Sequence, residues 1–200
     1  MASLTLSACG WNNTEDTGDD GADSVLYIPR SDLATINELK TATGKTYVVR
    51  QTPMLDSSLA NIQVDAIGFG ADTLTFDFGE VDPLVALQTE DLDRDGFQEL
   101  YVVTQSVGPE KYGTILGLYS AQDSSVLVIS FEGASPYTLK EGEPYAGYRG
   151  HDLFRFEKGV LTNKFPLDDP DADKPAADYR TVRYELVRGT TAMKLRPARR

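Results

Sequence analysis

Between Asp91 and Glu99 the chain reads Asp-Leu-Asp-Arg-Asp-Gly-Phe-Gln-Glu, its sharpest chemical signal. Carboxylates at the first, third and fifth positions converge on one point when the backbone curls tightly, and Gly96 at the sixth permits the curl. The seventh residue, Phe97, can offer its carbonyl, and the ninth, Glu99, a further carboxylate. Hard oxygen ligands in that number suit Ca²⁺, so Asp91, Asp93, Asp95, Phe97 and Glu99 are the expected ligands of a structural calcium ion. The twelfth position, where a helix-loop-helix hand carries a bidentate glutamate, is Val102, and the residues after it read as a strand. The competing reading of the same residues is an Asp/Gly turn without an ion, in which clustered carboxylates repel one another.

A second constellation follows that strand. Ser106-Val107-Gly108-Pro109-Glu110-Lys111-Tyr112-Gly113 reads as a protruding hairpin connection. Pro109 stiffens it, Gly108 and Gly113 allow sharp bends, and Tyr112 is an amphipathic anchor of the kind that dominates binding hot spots. A third group, Tyr148-Arg149-Gly150-His151-Asp152, places Tyr148 and Arg149 at the expected rim of the same contact surface. His151 and Asp152 are expected to serve the fold, since a lone histidine beside an aspartate and a strand is usually structural. Hydrolytic pairs can be drawn, Asp152 with Glu157 or Ser106 with His151, but no nucleophile elbow orients them. The chain is therefore expected not to be an enzyme.

The totals narrow the partners. Lys and Arg number 19 against 31 Asp and Glu, a net charge of −12, which argues against nucleic acid and suits a cationic protein or a cation. One histidine excludes a multi-histidine zinc site, and one cysteine excludes an internal disulfide and a thiolate cluster. That cysteine lies in Leu6-Ser7-Ala8-Cys9-Gly10, the shape of a bacterial lipoprotein processing box in which Cys9 takes the lipid. Only eight residues precede it, none of them basic, so residues 1–24 are expected to be a truncated lipoprotein signal and a disordered acidic tether. No later run is long and apolar enough to span a membrane, which leaves a lipid on Cys9 as the expected attachment to the periplasmic or outer-membrane surface.

The elements that must position these residues read mostly as strands. Ser31 as N-cap, the stripe Leu33, Ile36, Leu39 and a terminal Gly44 predict one short N-terminal helix. From Thr46 the period changes to two: strands are expected over 46–51, around Leu74, Phe76 and Phe78, and over 85–89, 99–105, 113–119, 125–131, 153–156, 160–165 and 181–187. Short strands at this spacing imply one all-β domain over 25–200, an antiparallel β-sandwich or flattened barrel. Leu167 to Asp178 is a long polar loop with two prolines.

Several of these segments together resemble a known family, the periplasmic and lipid-anchored bacterial inhibitors of invertebrate-type lysozyme. The matching pieces are DLDRDGFQELYVVTQS at Asp91 to Ser106, KYGTILGLYS at Lys111 to Ser120, YRGHDLF at Tyr148 to Phe154, LTNKFPL at Leu161 to Leu167 and TVRYEL at Thr181 to Leu186. The resemblance implies an antiparallel β fold and a non-enzymatic role, in which an exposed loop reading Ser-Gly-x-Tyr enters the lysozyme cleft. That motif falls on Pro109-Glu110-Lys111-Tyr112, where the tyrosine is kept and the serine and glycine are not. The expected partner is thus a lysozyme, with Ser106, Gly108, Pro109, Glu110, Lys111, Tyr112, Tyr148 and Arg149 as contacts. The alternative expectation is a calcium-stabilised envelope binding or adhesion module with no lysozyme target.

Overall fold

The computed structural model describes residues 26–27, 34–55, 57–167 and 178–199. All regular structure among them is β, in two sheets. The smaller sheet is a meander of β2 (Thr35–Lys40), β3 (Thr46–Pro53), β4 (Ala60–Ile67) and β5 (Leu74–Val81). The larger has nine strands. These are β1 (Leu26–Tyr27), β6 (Leu84–Glu90), β7 (Glu99–Gln105), β8 (Gly113–Ala121), β9 (Ser125–Phe131), β10 (Leu153–Phe156), β11 (Leu161–Pro166), β12 (Tyr179–Arg188) and β13 (Met193–Pro197). Their order is β1-β6-β7-β8-β9-β13-β12-β11-β10, antiparallel throughout except where β13 joins β9 in parallel.

Residues 35–40 correct the helical expectation. Ser31 and Leu33 lie outside the described residues, but Thr35–Lys40 is a strand that pairs with β3 from Thr35 opposite Gln51 to Lys40 opposite Thr46. Ile36 and Leu39 are three residues apart, which puts them on one face of a helix but on opposite faces of a strand. Ile36 is accordingly 69% exposed, while Leu39 packs on the core. The strand wins because its neighbour Thr46–Pro53, rich in β-branched and aromatic residues, supplies a full ladder of backbone partners that outweighs local propensity.

Two hydrophobic clusters share the larger sheet. Tyr47, Val49, Ile62 and Val64 of the meander close on Leu87, Leu100, Val102 and Leu118. On the opposite face the nine-stranded sheet curls over itself, barrel-like, so that Tyr101 and Val103 meet Phe154, Phe156, Leu161 and Tyr184. The rings of Tyr101 on β7 and Phe156 on β10 lie 5.1 Å apart although their strands are far separated in sheet order. β7 is therefore covered on both sides, which explains its unbroken burial from Glu99 to Thr104. Bulges at Val85 and at Gly79, whose φ is +68°, bend the strands that make these turns of the sheet.

Candidate functional site

The connection between β7 and β8 is a hairpin whose backbone is fixed and whose tip side chains face solvent. Ser106 closes the base twice: its amide donates to the Tyr112 carbonyl at 2.8 Å, and its hydroxyl accepts the Tyr112 amide at 2.8 Å. Lys111 turns back onto the Gly108 carbonyl with φ of +48°. Pro109, Glu110, Lys111 and Tyr112 are exposed, Tyr112 by 48%. The Glu110 carboxylate folds back over Gly108, within 3.1 Å of where a side chain there would begin.

The segment from Tyr148 to Asp152 docks beneath this hairpin, so the two groups singled out in the sequence form one surface. The His151 amide donates to the Glu110 carbonyl at 2.5 Å, and the Asp152 amide points at the Lys111 carbonyl at 3.4 Å. Asp152 is buried and ties four segments together. Its carboxylate accepts the Gly113 amide at 2.6 Å, the Tyr148 hydroxyl at 2.5 Å and the Asn163 side chain at 2.5 Å, while its carbonyl accepts Gln105 at 3.1 Å. Burial pushes the Asp152 carboxyl above its usual range, opposed by those three donors, and burial with the Asp152 charge pushes the Tyr148 hydroxyl far up. The Tyr112 and Tyr148 rings stand 6.0 Å apart and border a shallow groove that continues to Phe131, Ala134 and Leu139. Arg149 is exposed beside them. Of the pairs Asp152 with Glu157 and Ser106 with His151, the Ser106 hydroxyl accepts the Tyr112 amide and the Asp152 carboxylate accepts the Gly113 amide.

The Asp91 loop lies at the other end of β7. Asp91 organises it, accepting the Asp95 amide at 3.1 Å and the Gly96 amide at 2.9 Å, and the sharp curl is taken up by Arg94 at φ +62° and Gly96 at φ +92°. Oxygens of Asp91, Asp93 and Glu99 all come within 4.8 Å of one another. Asp95 faces differently, with one oxygen accepting the Phe97 amide at 2.9 Å and the other the Tyr119 hydroxyl at 3.3 Å. Glu99 is fully buried; one of its oxygens accepts the Leu92 amide at 3.1 Å and the Tyr101 hydroxyl at 3.3 Å. Burial, reinforced by the Asp93, Asp91 and Asp95 charges and opposed by the Leu92 hydrogen bond, pushes its carboxyl up to about 9. Asp93 is raised as well, by burial first and then by the Asp95 charge.

Two features carry no local sequence signal: the part Asn163 plays in the hairpin support, and the groove between β12, β13 and the 138–144 segment where Arg180, Arg183, Arg196 and Arg199 gather. Residues 188–200 carry Arg188, Lys194, Arg196, Arg199 and Arg200 and no acid, which signals the last two of these, but their meeting with Arg180 and Arg183 depends on strand pairing that no local pattern encodes. Cys9 lies outside the described residues, and among those described no helix is long and apolar enough to cross a membrane. No family model matches the chain, and neither a curated protein nor a solved structure matches it.

Proposed function

We propose that the domain is a cell-envelope protein that binds a lysozyme and blocks its cleft with the Ser106–Tyr112 hairpin, without chemistry of its own. The observation that supports this reading is the hairpin's construction: exposed side chains of Pro109, Glu110 and Lys111 on a backbone held by Ser106, His151 and Asp152. A loop held in one conformation before contact loses little entropy on binding. Tyr112 and Tyr148 supply adjacent aromatic anchors, and Lys111 carries the charge that pairs with one of the two carboxylates in a glycosidase cleft. Glu110, folded back on Gly108, leaves that approach open. An acidic chain of net charge −12 would be steered toward a basic lysozyme. The family resemblance points the same way, and the Cys9 processing box supports a lipid-anchored location in the periplasm or outer membrane, with secretion as the variant in which the cysteine is not acylated.

The test is a turbidity assay of cell-wall lysis. The domain should inhibit an invertebrate-type lysozyme stoichiometrically, and Tyr112→Ala should weaken inhibition by about 30-fold, the scale of a hot-spot residue, with little change in melting temperature. Absence of inhibition toward several lysozyme types at micromolar protein would overturn the reading. It would favour the second one, a calcium-stabilised binding or adhesion module, which the acidic cluster of Asp91, Asp93 and Glu99 supports independently.

A further inference from the structure

We propose that Asp91, Asp93 and Glu99 hold one divalent cation, with Ca²⁺ as the ion their chemistry selects, at the junction where the Asp91 loop meets both sheets. Two observations carry this and neither depends on what the hairpin binds. The first is convergence: oxygens of the three carboxylates lie within 4.8 Å of one another. Ligands on opposite sides of a calcium ion are separated by about 4.6–5.2 Å, twice the usual Ca–O distance, so one ion spans the set with little movement.

The second is the state of Glu99. It is 0% exposed, and only one of its two oxygens has a protein partner; Oε1 is buried with none while its carboxylate reaches the cluster. Leaving a carboxyl oxygen buried and unpaired is costly, and ionising that group beside two further carboxylates adds repulsion. A bound cation removes both costs together. The donor set is all oxygen and all anionic, which suits a hard cation and excludes the softer metals that prefer nitrogen or sulfur. Mg²⁺ is disfavoured because it demands near-octahedral geometry, whereas Glu99 is fixed on a buried strand and cannot adjust.

The location gives the ion a job. From this loop Gln98 accepts the Ala42 amide of the β2–β3 turn at 2.6 Å, Asp95 accepts Tyr119 of β8, and the adjoining Glu90 accepts the Gly159 amide of the β10–β11 turn at 2.8 Å. The loop and its neighbour Glu90 thus touch the meander, β8 within the larger sheet and the β10–β11 turn at that sheet's far edge. A cation there would clasp the curl shut.

The experiment compares melting temperatures in 5 mM CaCl₂, 5 mM MgCl₂ and EDTA, together with Tb³⁺ luminescence excited through tyrosine, since Tyr101 hydrogen-bonds to Glu99. For an affinity near the submillimolar range of extracellular calcium modules, Ca²⁺ should raise the melting temperature by roughly 3–6 °C over EDTA, and by more than Mg²⁺ does. Tb³⁺ should give sensitised emission that Ca²⁺ displaces. Glu99→Gln can keep the Leu92 and Tyr101 hydrogen bonds, so it should melt in EDTA at or above the wild-type temperature yet lose the Ca²⁺ shift. Asp93→Asn, which changes a charge on the more accessible side of the loop, should weaken Tb³⁺ binding at least 10-fold. Equal wild-type melting in Ca²⁺ and EDTA without sensitised emission would overturn the proposal, as would either variant binding Tb³⁺ as tightly as wild type.

Discussion

Gly150 shows how a single residue sets the aim of the hairpin. Its φ is +94°, and a Cβ there would run into the Glu110 carbonyl that the next residue's amide needs. Gly150→Ala therefore combines backbone strain with a steric clash, at a combined cost of about 1–3 kcal/mol. The clash falls on the hairpin rather than on either core, so lysozyme inhibition should drop by more than the loss of stability explains. Parallel measurement of inhibition constant and melting temperature checks this; loss of stability with unchanged inhibition would separate the Tyr148–Asp152 segment from function. At this scale the sequence was informative about residue type and uninformative about burial. Tyr112, Tyr148 and Asp152 stood out by their chemistry, and the fold brings them together. Nothing local in DRDGFQE distinguishes Glu99, which is fully buried, from Asp95, which stays at the surface facing Tyr119. Glu99 goes inside because it opens β7, whose two faces are both covered, and that is a tertiary fact.

Among the elements, strands rich in β-branched, aromatic and large aliphatic residues were legible and those with a weaker apolar signal were not. β7, β9 and β10 match their expected bounds, and Leu74, Phe76 and Phe78 do share the inward face of β5. β4 is not legible although Ala60, Ile62, Val64 and Ala66 alternate inward, because two alanines and polar partners make a weak apolar signal. β13 is not legible for a different reason: it is short and its partner β9 is reached by a long, parallel connection. β4 also carries a cross-strand clip, in which Asp65 accepts hydrogen bonds from Thr75 on β5 at 2.7 Å and from Arg50 on β3. These donors, Thr75 first, hold the Asp65 carboxyl below its ordinary value of 3.8. The depressed value means that the folded state binds its proton less readily than the unfolded one. The clip's contribution is therefore present above the ordinary carboxylate range and is lost as pH falls through the folded value. Arg50 is 39% exposed, so solvent screening limits the clip to about 0.5–1 kcal/mol. Urea denaturation of wild type and Asp65→Asn should show that gap at pH 7 and a smaller one near pH 3. A gap independent of pH would mean that packing, not charge, holds the three strands.

Across the whole molecule β7 is the shared member: it separates the Asp91 loop at one end from the Tyr112 hairpin at the other by its seven residues, roughly 20 Å. Support and contact are thus at opposite ends of one strand. The same strand divides the two cores, with Leu100 and Val102 in the cluster under the meander and Tyr101 and Val103 in the cluster inside the curl. Neither core can lose its packing without uncovering a face of β7, so the cores should melt together despite sitting on opposite sides of a sheet. Leu100→Ala opens a cavity in the first and Leu161→Ala in the second; both side chains are fully buried, and each truncation should cost roughly 2–5 kcal/mol. Calorimetry of each variant should give one transition at a lower temperature, with calorimetric and van't Hoff enthalpies equal. If Leu161→Ala instead splits the transition in two, leaving the meander core intact at the wild-type temperature, β7 is not the element that couples them. The curled half would then be a separate folding unit, stabilised on its own by the β9–β13 pairing and by the Asp91 loop's contact with the β10–β11 turn.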